Sequence, residues 1–170
     1  FVASNSNIIT GAKNTSYSVF GQVNYCLTDS SEVLVGGRYS WDKQVYTRFA
    51  AAGPTLVPPA VGIAKTDQLT GKIGLNYHMG DAGMIYISAS KGYKAGGVNL
   101  TPGTPNFTPE TNTVYEAGFK TELLDNHLRV NGSVFMSDYK DIQLASLVGG
   151  LPVTQNALAG EAKGAELEVT

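Results

Sequence analysis

The chain has 170 residues, 42% hydrophobic and 15% charged, which is enough apolar material for an ordered domain and too even a mixture for disorder or a collagen-like repeat. Its 12 basic and 14 acidic residues leave a net charge of -2, so composition provides no basic stripe for a nucleic-acid backbone. Cys26 stands alone, which removes an intrachain disulfide and any multi-cysteine metal site, and no apolar run approaches the roughly 20 residues of a spanning helix.

The first residues, FVASNSNIITGAKN, lack the charged and apolar regions of a signal peptide, and GAELEVT at the other end stops inside an alternating pattern, so the chain reads as a piece of a longer protein. Seven segments alternate with period two, and none carries a helical period. Residues 16–28 set Tyr17, Val19, Val23 and Tyr25 against Ser18, Phe20, Gln22 and Asn24. Residues 32–43 set Val33, Val35, Tyr39 and Trp41 against Arg38, Ser40 and Asp42. In 67–77, Leu69, Ile73, Leu75 and Tyr77 oppose Thr70, Lys72 and Asn76; in 84–94, Ile85, Ile87, Ala89 and Tyr93 oppose Tyr86, Ser88, Ser90 and Lys94. Residues 113–123 oppose Tyr115, Ala117 and Phe119 to Glu116, Lys120 and Glu122. Residues 128–143 oppose Leu128, Val130, Val134 and Met136 to Arg129, Asn131 and Ser133, and 162–170 is the last segment. Short turns at 29–31, 78–83 and 124–127 alternate with long Gly- and Pro-rich connections at 44–66, 95–112 and 144–161.

The class is all-β, and the connections describe an antiparallel up-and-down meander. Period two is blind to direction: it fits a soluble β-sandwich with the apolar face inward and a membrane barrel with that face outward. Segments of about ten residues, aromatics toward their ends, and the alternation of short and long connections favour the transmembrane β-barrel. Tyr17 and Tyr25 share a parity and lie roughly 20 Å apart along the membrane normal, the spacing of two aromatic girdles. Lys91 interrupts the pattern on the apolar parity, and two explanations are open: snorkelling to lipid headgroups, or a bulge that shifts the register.

Three stretches carry a family resemblance: YISASKGYKAGGVN (86–99), FTPETNTVYEAGFKTELLDNHLRVNGSVFMSDYKDIQL (107–144) and NALAGEAKGAELEV (156–169). In order and combination they resemble the barrel of TonB-dependent outer-membrane receptors of the siderophore-receptor type, and FGQVNYCLTDSSEVLVGGRYSWDK (20–43) is similar to a preceding hairpin of such barrels. The resemblance implies a barrel of about 22 strands, of which this chain supplies about seven, with a plug domain that lies outside this chain. It also implies residence in the bacterial outer membrane among its lipids, and uptake of a ferric siderophore or similar scarce nutrient energised by the TonB complex through the plug. The alternative is a passive outer-membrane barrel or a soluble β-sandwich serving as a binding or adhesion module.

In this family cargo is met mainly by outer loops, which makes Tyr46, Arg48, Phe49, Tyr93, Lys94, Asn99 and Phe107 the cargo candidates. Arg38, Lys72, Glu116, Lys120 and Arg129 fall on the lumen parity and are candidates for facing the plug; paired wall solvation is their plainer role. Gly92, Gly96 and Gly97 invite a phosphate-loop reading, but neither a following helix nor the lysine-serine signature accompanies them. No nucleophile-base pairing or metal-ligand motif is present, so the expectation is a protein that is not an enzyme and uses no cofactor.

Overall fold

The computed structural model describes residues 6–52, 55–101, 103–124, 127–148 and 151–170. Among the described residues there are nine strands: β1 (Ser6–Cys26), β2 (Ser31–Ala52), β3 (Thr55–His78), β4 (Gly83–Lys94), β5 (Glu110–Leu123), β6 (Leu128–Lys140), β7 (Gln143–Val148), β8 (Leu151–Asn156) and β9 (Ala159–Val169). Seven form one open antiparallel sheet in the order β1-β2-β3-β4-β5-β6-β9, and β7-β8 is a separate hairpin between β6 and β9.

The expected segments are strands, but two of the long connections are themselves largely strand. Residues 44–66 are mostly strand: β2 and β3 run on to Ala52 and Thr55. The prolines that suggested a loop are accommodated by a bulge, because Arg48 pairs with Ala60 and Ala50 with Val57, which leaves Pro58 and Pro59 opposite Phe49 alone. Residues 144–161 contain most of the β7-β8 hairpin. It separates from β6 at Asp141, whose φ of 55° turns the chain.

The short turns are built from local polar chemistry. Thr28 Oγ1 accepts from the N–H groups of Ser30 (3.2 Å) and Ser31 (3.0 Å), closing β1 onto β2. Between β3 and β4, Gly83 has a φ of 129° and lies against the Lys120 backbone, a position that excludes a side chain.

The two faces of the sheet are different surfaces. Val23, Val35, Ile73, Ala89, Tyr115 and Met136 occupy one cross-strand row, and Tyr25, Val33, Leu75, Ile87, Ala117, Val134 and Ala165 the next, all on one face. Ile73 is 56% exposed and Ile87 57%, with no second layer over them among the described residues, which fits a face whose solvent is apolar lipid. Val153, in β8, is the one buried apolar side chain among the described residues. Among the described residues no second sheet packs on this face as a sandwich would require.

The upper edge of the apolar band slants across the sheet. It lies at Tyr17 on β1 and Trp41 on β2, and at Ala165 on β9, which belongs to the row that begins at Tyr25. The edge therefore shifts by about eight residues, roughly 26 Å, over six inter-strand steps of roughly 29 Å, which corresponds to a strand tilt of about 40°. That is the tilt of an outer-membrane barrel. Above the edge, Lys13, Lys43, Lys65, Lys91, Lys140 and Lys163 point outward, with Asp67, Asp138 and Glu161 among them. Lys91 belongs to this collar: β4 keeps an unbroken register with β3 and β5 through it, so no bulge displaces it.

Candidate functional site

β4 parts from β3 beyond Lys91, whereas β3 continues upward beside β2 alone. The freed end of β4 folds across the inner face of β3, and the Tyr93 hydroxyl donates to the Asp42 carboxylate on β2. Beneath it Ser40 is 1% exposed, and its hydroxyl accepts from Arg38 Nε at 3.1 Å. The Arg38 guanidinium lies 5.6 Å from the centre of the Phe20 ring. Tyr93 thereby ties β4 to β2, and Arg38 ties β2 to β1 through the Phe20 ring, at the outer end of the lumen wall.

The described residues of the following segment, 95–101 and 103–109, stay on this inner face. Val98 packs on Gly62 of β3, and Gly97 and Phe107 exchange backbone hydrogen bonds of 3.0 and 3.1 Å. The Phe107 ring covers Gly97, and a Cβ on Gly96 would stand 2.5 Å from the Phe107 carbonyl oxygen. The glycine run thus serves close backbone approach and not a phosphate cradle.

The β7-β8 hairpin is fastened to this segment by three amide side chains. Asn99 Nδ2 donates to the carbonyls of Pro105 and Thr154, both at 2.7 Å, while its Oδ1 accepts the Thr154 N–H at 2.8 Å. Gln143 Nε2 donates to Ala95 O (2.9 Å) and Thr108 O (3.1 Å), and the Gln143 N–H reaches Glu110 Oε2 at 2.8 Å. Asn156 accepts the Thr108 N–H at 2.7 Å and donates to Thr108 O and Asp141 O. Two loops remote in sequence form one shelf.

The cargo candidates are dispersed over this region. Tyr46, Arg48 and Phe49 lie on β2 and not in a loop; Tyr46 and Arg48 share the lumen parity, while Phe49 falls on the opposite one beside the bulge. Tyr93 joins the network on Asp42, Lys94 ends β4 opposite Glu110, and Asn99 and Phe107 hold the shelf together. Ser40, Asp42, Gln143 and Asn156 were given no role by sequence reasoning. Gln143 and Asn156 stood inside the family-like stretches, which was the available signal.

Lower on the same face, Tyr86 donates to Glu116 Oε1 at 2.6 Å, and Lys120 Nζ lies 5.9 Å from the Tyr86 ring centre. A hollow of about 620 Å³ opens here, lined by Tyr86, Glu116, Lys120, Asn131, Glu166 and Glu168. Lys72 shares this parity, and Arg129 pairs with Glu122 at 2.7 Å near the short-turn end. Gly118 lies under the Tyr86 ring: a Cβ there would stand 2.6 Å from Gly132 O and 2.7 Å from the Tyr86 hydroxyl. Gly118→Ala is expected to displace Tyr86 from Glu116 and to cost about 1–3 kcal/mol, read as a lowered unfolding midpoint.

Residues 2–170 match the family described as TonB dependent receptor-like, beta-barrel. The ferric yersiniabactin uptake receptor FyuA from Yersinia pestis is similar at 24% identity with a TM-score of 0.80, over 96% of this chain and 25% of that one. The ferric-catecholate import receptor Fiu from E. coli superimposes with a TM-score of 0.76 at 18% identity, over 94% of this chain and 26% of its own. The siderophore receptor PiuA from Acinetobacter baumannii gives 0.73 at 21% identity, over 94% and 23%. The chain spans about a quarter of the length of each of these receptors.

Proposed function

Because the chain belongs to the TonB-dependent receptor family, as part of its outer-membrane β-barrel, we propose that it serves uptake of a ferric siderophore or similarly scarce nutrient, energised through TonB. The observation that carries this reading is the shelf of 95–109 and β7-β8, fastened by Asn99, Gln143 and Asn156 at the outer end of a lumen wall. Loops held in place on a rigid scaffold are where a receptor would capture cargo before transport.

In this reading the cargo meets the outer face of the shelf and the upper wall, where Tyr46, Arg48, Tyr93, Lys94 and Phe107 supply cations and aromatic rings suited to an anionic, aryl-bearing chelate. The receptor's plug domain docks lower down, against Lys72, Glu116, Lys120 and Arg129, and the TonB complex acts on the plug. No covalent chemistry falls to this segment: its residues bind, orient and release.

The test is uptake of radioactive iron chelates by cells whose sole receptor of this type carries this segment. Accumulation that needs TonB and falls at least tenfold when the β7-β8 hairpin is replaced by a short Gly-Ser turn supports the proposal. Uptake that is independent of TonB and indifferent to the hairpin would leave a passive barrel.

A further inference from the structure

The inner face of β1 and β2 holds a recess at its outer end, beside the shelf. Asn14 stands opposite Gln44 and Ser16 opposite Asp42, and the end of β4 closes one side with Tyr93 and Ala95. The recess measures about 400 Å³, toward the small end of the range for ligand pockets. Ser16 and the buried Ser40 project little from the wall, so the space between Arg38 below and Gln44 above stays open.

The groups around this space are polar and only partly committed. Arg38 gives its Nε–H to Ser40 Oγ at 3.1 Å and lies against the Phe20 ring, while its two terminal NH2 groups make no hydrogen bond among the described residues. Asp42 accepts the Tyr93 hydroxyl on Oδ2 and keeps Oδ1. Gln44 accepts from the Tyr46 hydroxyl at 3.1 Å through its carbonyl oxygen, which leaves its amide as a donor. The Asn14 and Ser16 side chains make no hydrogen bond among the described residues, and Arg38 and Asp42 do not pair with each other. Both charges therefore remain. An anion in the recess meets the Asp42 carboxylate and a cation meets the Arg38 guanidinium, and at contact distance either repulsion is costly. A neutral ligand with several hydroxyls avoids both: its O–H groups donate to Asp42, and its oxygens accept from Arg38, Asn14 and Gln44.

We propose that this recess binds a neutral, hydroxyl-rich ring the size of one sugar unit. A free saccharide and a sugar-like ring carried by a chelate share this chemistry, and the second source rests on the uptake reading above. Tyr93 shapes the site as well as tying β4 to β2, because its hydroxyl fixes which Asp42 oxygen is left for the ligand.

The test uses the full-length receptor in detergent and saturation-transfer NMR, with methyl glucoside, methyl galactoside and methyl mannoside as neutral probes and glucuronate and glucosamine as charged ones. At least one neutral glycoside is expected to bind, and both charged sugars at least tenfold more weakly than it. Asn14→Ala is expected to weaken binding roughly fivefold, the worth of one hydrogen bond, and Thr47→Ala, at a similar height on the outward face of β2, to leave it unchanged. Asp42→Asn still accepts the Tyr93 hydroxyl, so the wall keeps its shape, yet this variant is expected to take glucuronate roughly tenfold more tightly than wild type does. An Asp42 that only braced β4 would leave the charge preference where it was. Uptake of a radioactive iron chelate in the presence of saturating glycoside separates the sources: inhibition assigns the ring to the chelate, and unimpaired uptake assigns the site to a free saccharide. Loss of TonB-dependent uptake altogether would overturn the transport reading and leave the binding result standing. Failure of all three neutral glycosides to bind, equal binding of the charged sugars, or an unchanged charge preference in Asp42→Asn would each overturn the recess as a sugar site.

Discussion

Ile73→Arg is expected to destabilise the folded barrel by about 2–4 kcal/mol and to impair its insertion. On β3 the outward apolar residues run from Leu69 to Tyr77, and Ile73 is their midpoint, flanked in its row by Val35 and Ala89. An arginine there has to place its guanidinium in the hydrocarbon centre or bend it some distance to either interface. Lys72, the next residue, projects to the other face between Gly36 and Ser90, so Lys72→Gln is expected to stay within about 0.5 kcal/mol of wild type. Denaturant titration of the receptor folded into lipid vesicles reads both. Equal losses at the two positions would mean that the lipid and lumen faces have been exchanged or that the segment does not span the membrane.

The pairing of Ile73 with Lys72 was legible in the sequence because alternation is a local property, and a membrane wall one sheet thick keeps it unbroken. The direction of the faces was also legible, although only through strand length and the placement of Tyr17, Tyr25 and the short turns. The tilt was not, since it needs the register between strands: Tyr17 and Ala165 become two points on one slanted edge only once the cross-strand rows are known. Proline misled at 44–66, where Pro58 and Pro59 read as a loop. In the fold they share a bulge, on a stretch of β3 whose other edge has no strand beside it among the described residues, and there a missing N–H costs little.

The outer shelf was the least legible part, because each of its bonds joins residues far apart in sequence. Asn99 is the clearest case. It was a cargo candidate as a polar residue in a loop, yet its amide spans to Thr154, 55 positions away. Lys91 shows the converse: it broke the local pattern, and its register through β4 resolves that break as membership in the outward collar.

Asn99→Ala is expected to release the shelf without unfolding the barrel. The side-chain amide makes both hydrogen bonds of a β-bridge to Thr154 and a third to the Pro105 carbonyl, and alanine leaves all three backbone groups without that partner. At about 1 kcal/mol each the local loss is about 3 kcal/mol, which raises amide exchange roughly a hundredfold in 97–108 and in β7-β8. Amides of β5 and β6, held by their own ladders, are expected to exchange at wild-type rates. Asn99→Asp keeps one acceptor but sets a carboxylate against two carbonyls, so at neutral pH its exchange is expected to be at least as fast as that of the alanine variant. Hydrogen–deuterium exchange on the full-length receptor, with and without cargo, separates the two roles open to this residue. If Asn99 holds the shelf, exchange in β7-β8 rises in the cargo-free protein. If it only touches cargo, the cargo-free variant exchanges like wild type and the difference appears on addition of cargo, which would leave the fastening of the shelf to Gln143 and Asn156.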